Sequence, residues 1–508
     1  VAAVATPALV FTGFMGAGKS RALRHAHAAG LDAVDADLLL ADELGEPIAS
    51  FFAARGEAEF RRRESELVLR LLDEGHEAIA LGGGAVLSEA VRDALRPHTV
   101  VWLKVGVEEL WRRARGSHRP LASDEHEFRR LYAEREPLYS GLADAVMLSA
   151  DAVTEALPSL DRLAASGATR LIWAESESGS YPVWIGEGIL PIARAAGPGN
   201  PFCVTDTHVG DLYLTELGEM PAITVPAGEP SKTMAQAEKV LAGLSEAGAT
   251  RSDHVVALGG GVVGDLAGFC AATYQRGLAI VHAPTSLLAQ VDSAYGGKTG
   301  VDLAGAKNYV GAYHQPTAVV ADIGTLGTLP EEELASGFAE VVKTALLAGG
   351  GAWERAQRIG TLDPRPLLPL VIECALTKLE IVRSDERDGS RRAVLNLGHT
   401  VGHAIESAGG FTRHRHGEAV GLGLLAALRL SEADSLRSDV AGLLDAHGLP
   451  TSLDPAIETD AVMAAISRDK KHTSQRGLGF VLLSRPGEPE FGVRIDPDRV
   501  RQAVEELR

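Results

Sequence analysis

Cysteine is scarce: the chain carries only Cys203, Cys270 and Cys374, and no two of them lie close together. That spacing excludes a disulfide scaffold and a cysteine-rich zinc site and suits a reducing compartment. Each is expected to be a small buried hydrophobe, and any metal must be held by histidines and carboxylates. Long apolar runs are missing too, since no stretch reaches the ~18–20 residues that a membrane span needs. The opening "VAAVATPALVFTGFMG" lacks the basic segment of a signal peptide and runs into a glycine loop, so it reads as a first strand. Excess positive charge is also absent. The formal charge of -19 excludes a nucleic-acid partner held on a basic surface, while leaving room for small anions held by local clusters. A cytoplasmic protein with neither membrane nor nucleic acid as partner is the expectation.

What is present is an alternation of strands and helices, in a chain of 508 residues that exceeds what one core usually serves. An apolar strand at 8–12 precedes a glycine loop and a helix from about Lys19. Strands are predicted near 77–81 and 99–105, and helices at 57–74 and 126–136, the signature of a parallel sheet covered by helices. Between 148 and 168 the sequence thins to "SADAVTEALPSLDRLAASGAT", a terminal helix plus linker, which places a break near 165. Strands recur from 170 as "RLIWA", "YPVWIG", "FCVTD", "AITVPAG" and "HVVALGG". After about 325 long helical runs take over, at 331–348, 366–386, 393–407 and 416–433, with few strands until "GFVLLS". The predicted class is α/β with a helical third part, divided as 1–165, 166–325 and 326–508.

Two near-identical phrases stand out, "AIALGGGAV" at 78–86 and "VVALGGGVV" at 255–263. Nothing beyond them matches at a fixed offset, so the chain is not an internal duplication. Each is an apolar strand ending in glycines, which lets a ligand or side chain approach bare backbone.

"GFMGAGKS", Gly13 to Ser20, fits the whole P-loop pattern. The loop around Gly13, Gly16 and Gly18, with the helix that follows, can cradle the phosphates of ATP. Lys19 is placed to reach the β- and γ-phosphates and Ser20 to ligate Mg²⁺. With this loop, most of residues 8–145 resembles shikimate kinase. The resemblance rests on "VDADLL" with Asp35 and Asp37, "EFRRRE" with Arg61, "LGGG" with Gly82, Gly83 and Gly84, "EREPLY" with Arg135, and "SHRPLA" with Arg119. It implies that Asp35 assists the Mg²⁺ site, while Asp37 orients the acceptor hydroxyls and is a candidate base. Arg61, the three glycines and Arg135 would hold the shikimate ring and carboxylate, which suits the bidentate guanidinium. Arg119 would close as a lid over the transferring phosphate, and Arg113 would pack against adenine.

The second glycine strand presents Gly259, Gly261 and Gly264 as G-x-G-x-x-G, a weak dinucleotide signal when alone. With "PAGEPSKT", "YQRG", "PTSLLAQVDSAYGGKTGVD" and "AKNYVGAYHQP", residues 170–508 resemble 3-dehydroquinate synthase. The resemblance implies a Rossmann-like NAD-binding domain followed by a mostly α-helical metal-binding domain. NAD contacts fall on Asp206, Glu229, Lys232, Gly260, Gly261, Asp265, Thr285, Ser286 and Thr328. Substrate contacts fall on Arg276, Asp292, Lys298, Lys307, Asn308, Lys343, Lys378, Arg392 and Asn396, with Lys470 or Lys471 adding another.

For the metal, spacing alone puts Glu340 and Lys343 on one helical face and pairs His399 with His403 on another. A glutamate with two histidines and an open position is a catalytic zinc arrangement. The family pattern assigns Glu340, His399 and His416 to Zn²⁺ or Co²⁺ and leaves His403 as a general acid/base or phosphate contact. His414 is expected to be a solvated loop residue.

Together the resemblances imply a bifunctional enzyme of aromatic biosynthesis. One half would phosphorylate shikimate. The other would convert 3-deoxy-D-arabino-heptulosonate 7-phosphate to 3-dehydroquinate and phosphate, using NAD without net consumption, as a homodimer through this half. The two steps are not adjacent, so direct hand-over is not expected. Three rivals stand beside this reading: another sugar-phosphate cyclase or a polyol dehydrogenase of related fold in the second half, the latter marked by net NADH production, or a scaffold without kinase activity in the first.

Overall fold

The computed structural model describes residues 7–115, 124–303, 306–472 and 479–508, and their side chains except those of 306 and 469–472. Contacts divide the chain into two compact units. The first runs to Ala174 and takes in Pro182–Trp184; the second comprises Glu175–Tyr181 and Ile185–Arg508.

In the first unit, parallel strands Ala33–Asp35, Ala78–Ala80, Leu9–Thr12, Thr99–Leu103 and Ala145–Met147 lie side by side in that order. Leu9–Thr12 and Thr99–Leu103 are buried at every residue, as strands covered by helices on both faces must be. Val10, Ile79 and Val100 pack against Phe60, Val68 and Leu71 of the helix Ile48–Asp73. This helix starts earlier than the predicted 57–74 and bends at Gly56, whose φ of 79° no helical residue adopts. Past the break expected near 165, Leu171–Trp173 pair in parallel with Ala145–Met147. This apolar run satisfies the open backbone edge of the last strand, so it packs with the first unit.

The second unit opens with five parallel strands in the order Ala318–Asp322, Ala279–Pro284, His254–Gly259, Pro201–Asp206 and Ala222–Val225. An antiparallel hairpin that the periodicity did not predict, Lys298–Leu303 with Ala306–Tyr313, lies against the helix Gly261–Thr273. A second hairpin joins Phe480–Leu483, the predicted "GFVLLS" strand, to the unpredicted Pro489–Val493. Otherwise helices follow, among them Glu331–Ala348, Pro364–Ser384, His399–Ala408 and His416–Leu430. The predicted run 393–407 is divided: Arg391–Asn396 is a 3₁₀ turn, and the α-helix starts at His399 after Gly398 at φ 79°. All three cysteines are buried and free. Among the described residues no helix is long and apolar enough to cross a membrane.

Asp322 anchors the carboxyl end of the strand Ala318–Asp322. Buried, it accepts hydrogen bonds from the backbone N–H groups of Gly188 (3.0 Å), Leu190 (2.9 Å) and Gly324 (2.9 Å). Asp322→Ala would strand these donors, and a loss of roughly 2–4 kcal/mol is expected, read as a lower urea midpoint of unfolding.

Candidate active sites

In a parallel sheet the loops at the carboxyl ends of neighbouring strands meet. Leu9–Thr12 and Ala78–Ala80 are neighbours, so the loop Gly13–Gly18 and the triplet Gly82–Gly84 face each other. Gly13 (φ 143°), Gly16 (φ 87°) and Gly18 (φ 99°) hold backbone angles that suit glycine. Lys19 donates from Nζ to the carbonyls of Gly13 (2.9 Å) and Phe14 (3.3 Å). A side chain on Gly83 would come to 3.7 Å from that ammonium. Ser20 is the second residue of the following helix, Lys19–Ala28, and Arg113 donates to the Gly16 carbonyl at 3.2 Å.

Bare backbone in the triplet makes room for charged groups. A side chain on Gly82 would overlap the carboxylates of Asp37 and Glu64, and one on Gly84 would overlap the Arg61 guanidinium. Arg61 donates to Glu64 at 2.7 Å, and Arg135, buried, stands over the Phe14 ring. Tyr139 donates its hydroxyl to the Gly83 carbonyl at 2.5 Å. Asp35 caps the helix Ala36–Leu44, accepting from Asp37 N–H at 3.0 Å. Burial pushes the Glu64 carboxyl up against the pull of Arg61. Glu64 was missed from the sequence, although its position three residues after Arg61 on one helix is the signal that marks it. Arg119 lies outside the described residues.

The second unit's glycine strand ends at Gly259, and the helix Gly261–Thr273 starts at once. A side chain on Gly260 would press on Ser286 Oγ at 3.1 Å, and one on Gly261 on Ser293 Oγ at 3.2 Å, so the bend suits a close-lying dinucleotide. Asp206, Thr285 and Ser286 follow the carboxyl ends of neighbouring strands, and Thr328 closes the turn after Asp322. Asp206 caps the helix Thr207–Tyr213, and Thr328 Oγ1 meets the Tyr213 hydroxyl at 2.6 Å. Lys232 pairs with Asp265 at 2.5 Å and approaches Glu229 at 4.0 Å. Asp265, Lys298, Asn308 and Tyr313 line one cavity of about 310 Å³, which gathers dinucleotide and substrate candidates.

Around Glu340 three helices meet with almost no separation. A side chain on Gly417 would strike Ser336 of the Glu340 helix, one on Gly402 would press on Ala419, and one on Gly423 would strike Gly398. These glycines let His399 and His416 reach Glu340, whose Oε1 lies 3.2 Å from Nε2 of each. Tetrahedral ligands about 2.0–2.1 Å from zinc stand roughly 3.3 Å apart, so the donor set fits such an ion. His403, at the exposed edge, groups instead with Glu406 and His416. His414 lies in a loop as expected but is less solvated than that: it is half-buried, with Nδ1 3.5 Å from Glu418.

Charges alternate outward from this point. Lys343 approaches Glu340 at 2.6 Å, and Lys378 hydrogen-bonds the Asp292 carboxylate and its backbone carbonyl (2.7 Å). Burial opposes the charge of Glu340, but Lys343 and His399 hold its carboxyl well below the usual range. Burial likewise opposes His416, yet Glu340 and Glu406 hold it up to about 10. Lys378 is pushed down to about 8 by burial, against the pull of Asp292. Lys298 pairs with Asp388 at 2.5 Å, and Asn308 donates its N–H to Asp302 at 2.7 Å. Arg392 is buried, donates to the carbonyls of Glu386 and Gly296, and keeps an Nε without a partner among the described residues. Asn396 ends the 3₁₀ turn, three residues before His399 in sequence. Arg276, expected to contact substrate, closes the 3₁₀ turn Tyr274–Arg276 that follows the helix Gly261–Thr273. Lys470 belongs to the helix Thr459–His472, but its side chain lies outside the described residues.

The first unit is therefore of the P-loop phosphotransferase class, and the second is an α/β enzyme with a buried metal-type cluster. Residues 15–160 match the family model for shikimate kinase. Residues 222–336 and 337–472 match those for the N- and C-terminal parts of 3-dehydroquinate synthase. A 3-dehydroquinate synthase of Halorhodospira halophila is 42% identical over 356 residues, 66% of this chain and all of that protein. One from Lactiplantibacillus plantarum is 46% identical over 304 residues, 57% of this chain and 84% of that one. Among solved structures, 2-epi-5-epi-valiolone synthase from Streptomyces hygroscopicus, with NAD+ and Zn2+ bound, aligns with a TM-score of 0.61. It is 25% identical and covers 66% of this chain and 98% of that one. The chain belongs to the 3-dehydroquinate synthase family and carries a shikimate kinase domain ahead of it, joining a kinase to a lyase.

Gly84→Ala is expected to displace the Arg61 guanidinium while leaving the fold intact. The KM for the kinase acceptor should rise about 10-fold or more, with little change in thermal midpoint.

Proposed function

We propose that the chain phosphorylates shikimate at its 3-hydroxyl with ATP, and separately converts 3-deoxy-D-arabino-heptulosonate 7-phosphate to 3-dehydroquinate and phosphate. The observation that carries this reading is the pairing of each glycine-ended strand with its own charge set: Arg61, Arg135 and Asp37 at one, and a series of lysines leading to Glu340 at the other.

In the kinase half Lys19 and the loop N–H groups hold the phosphates, with Ser20 and Asp35 placed to hold Mg²⁺. That ion, when bound, neutralises phosphate charge. Arg61 and Arg135 orient the acceptor carboxylate, and Asp37 takes the hydroxyl proton. In the synthase half Glu340, His399 and His416 would hold Zn²⁺ or Co²⁺, and the strand-end residues from Asp206 to Thr328 would hold NAD. When bound, the metal supplies Lewis acidity and NAD a hydride store. Lys298, Lys307, Asn308, Lys378, Arg392 and Asn396 orient the carboxylate and phosphate of the substrate, and His403 serves as general acid/base or as a phosphate contact. In this reading the protein works in the cytoplasm, as a homodimer through its synthase half.

Identity favours this substrate over that of another cyclase: 42% to a dehydroquinate synthase against 25% to a valiolone synthase. The scaffold reading for the kinase half is disfavoured by the assembled Lys19, Asp37, Arg61 and Arg135.

A phosphorus NMR time course with ATP, Mg²⁺, shikimate, the heptulosonate phosphate, NAD and Zn²⁺ tests both activities. Shikimate 3-phosphate should form and vanish with Lys19→Ala; free phosphate should form and vanish with His399→Ala. Free phosphate alone would leave the kinase half with another acceptor or as a scaffold. An untouched heptulosonate would sink the synthase substrate.

Because Lys378 loses its proton near pH 8, kcat/KM for the anionic synthase substrate should fall above that pH. Lys378→Arg keeps its charge, so its profile should lack that limb.

A further inference from the structure

Glu406 is buried, and its two carboxylate oxygens face two different groups. Its Oε2 lies 3.5 Å from Nδ1 of His416, and its Oε1 lies 3.2 Å from the ammonium of Lys307. On the helix His399–Ala408 it stands seven residues after His399 and three after His403, spacings that return to one helical face. His416 therefore has a carboxylate at each ring nitrogen: Glu340 at Nε2, 3.2 Å away, and Glu406 at Nδ1. Lys307 comes from the hairpin strand Ala306–Tyr313, beside Asn308 at φ 52°, and its ammonium also stands 4.7 Å from the Phe411 ring centre.

Resting on the metal reading of Glu340, His399 and His416, we infer that Glu406 is a positioning residue that orients the His416 ring through Nδ1–H and anchors the Lys307 hairpin to the metal centre. A ligating imidazole needs its proton on the nitrogen away from the metal, and a carboxylate there fixes both tautomer and ring plane. Glu406 sits on that side. Its second oxygen is occupied by Lys307, so one buried carboxylate couples the ring that ligates metal to a lysine offered to substrate. Glu406, His403 and His416 also lie close enough to hold an ion of their own. That arrangement would take His416 through Nδ1 and so compete with the Glu340 site for the same ring.

The test is titration of Co²⁺ into the metal-free full chain, followed by visible d–d absorption, with circular dichroism to confirm folding. The unmodified chain should bind one Co²⁺. Glu406→Gln, which keeps size and removes charge, should weaken Co²⁺ binding 10–100-fold and shift the absorption bands. Glu406→Asp should recover part of the affinity, and Lys307→Met should leave the bands in place while raising KM. Unchanged affinity and bands in Glu406→Gln, or two Co²⁺ per chain, would overturn the inference. Glu340→Ala separates this from the underlying reading: it should abolish Co²⁺ binding, and if it does not, the metal assignment itself fails.

Discussion

The second unit depends on keeping one carboxylate charged where water does not reach. Glu340 is fully buried, and an isolated ion there would carry a desolvation cost of several kcal/mol. The fold offsets that cost with partners from three elements: the Lys343 ammonium one turn along the same helix at 2.6 Å, and the rings of His399 and His416 at 3.2 Å each. Those partners arrive only because Gly402, Gly417 and Gly423 remove side chains where helix backbones touch. The helix Glu331–Ala348 is buried continuously from Ala335 to Leu347, so Glu340 meets these partners away from solvent.

The two "ALGGG" phrases use one piece of physics for two ends. In both, a fully buried parallel strand delivers glycines to the carboxyl edge of a sheet, where neighbouring loops converge. In the first unit the missing side chains make room for Asp37, Glu64 and Arg61, so that charged groups lean on bare backbone. In the second, the strand turns straight into a helix whose first residues have room for a ligand. The likeness is local geometry, and the surroundings give it different chemistry.

Much of this was legible in the chain itself. Strands such as Leu9–Thr12 and His254–Gly259 are continuous apolar runs, and the helix Glu331–Ala348 coincides with its predicted span, because burial on all sides leaves strong sequence patterns. The hairpin Lys298–Leu303 with Ala306–Tyr313 was not, since it is rich in glycine and lysine and half exposed, and its pairing depends on the helix it packs against. Glu64 and Glu406 escaped for a related reason. A glutamate on a helix is ordinarily a solvated charge, and only packing shows that these two are buried against Arg61 and His416.

By itself the sequence determined the two glycine-ended strands, the complete P-loop and the stock of histidines, carboxylates and lysines, because local spacing settles which side chains share a strand end or a helical face. Only the tertiary structure decided which of those groups meet. His399 and His403 are neighbours along one helix, yet Glu340 draws in His399 and His416 from separate helices. Contacts between distant segments are set by how closely backbones can pack, and here that is governed by glycines whose purpose shows only when the helices are brought together.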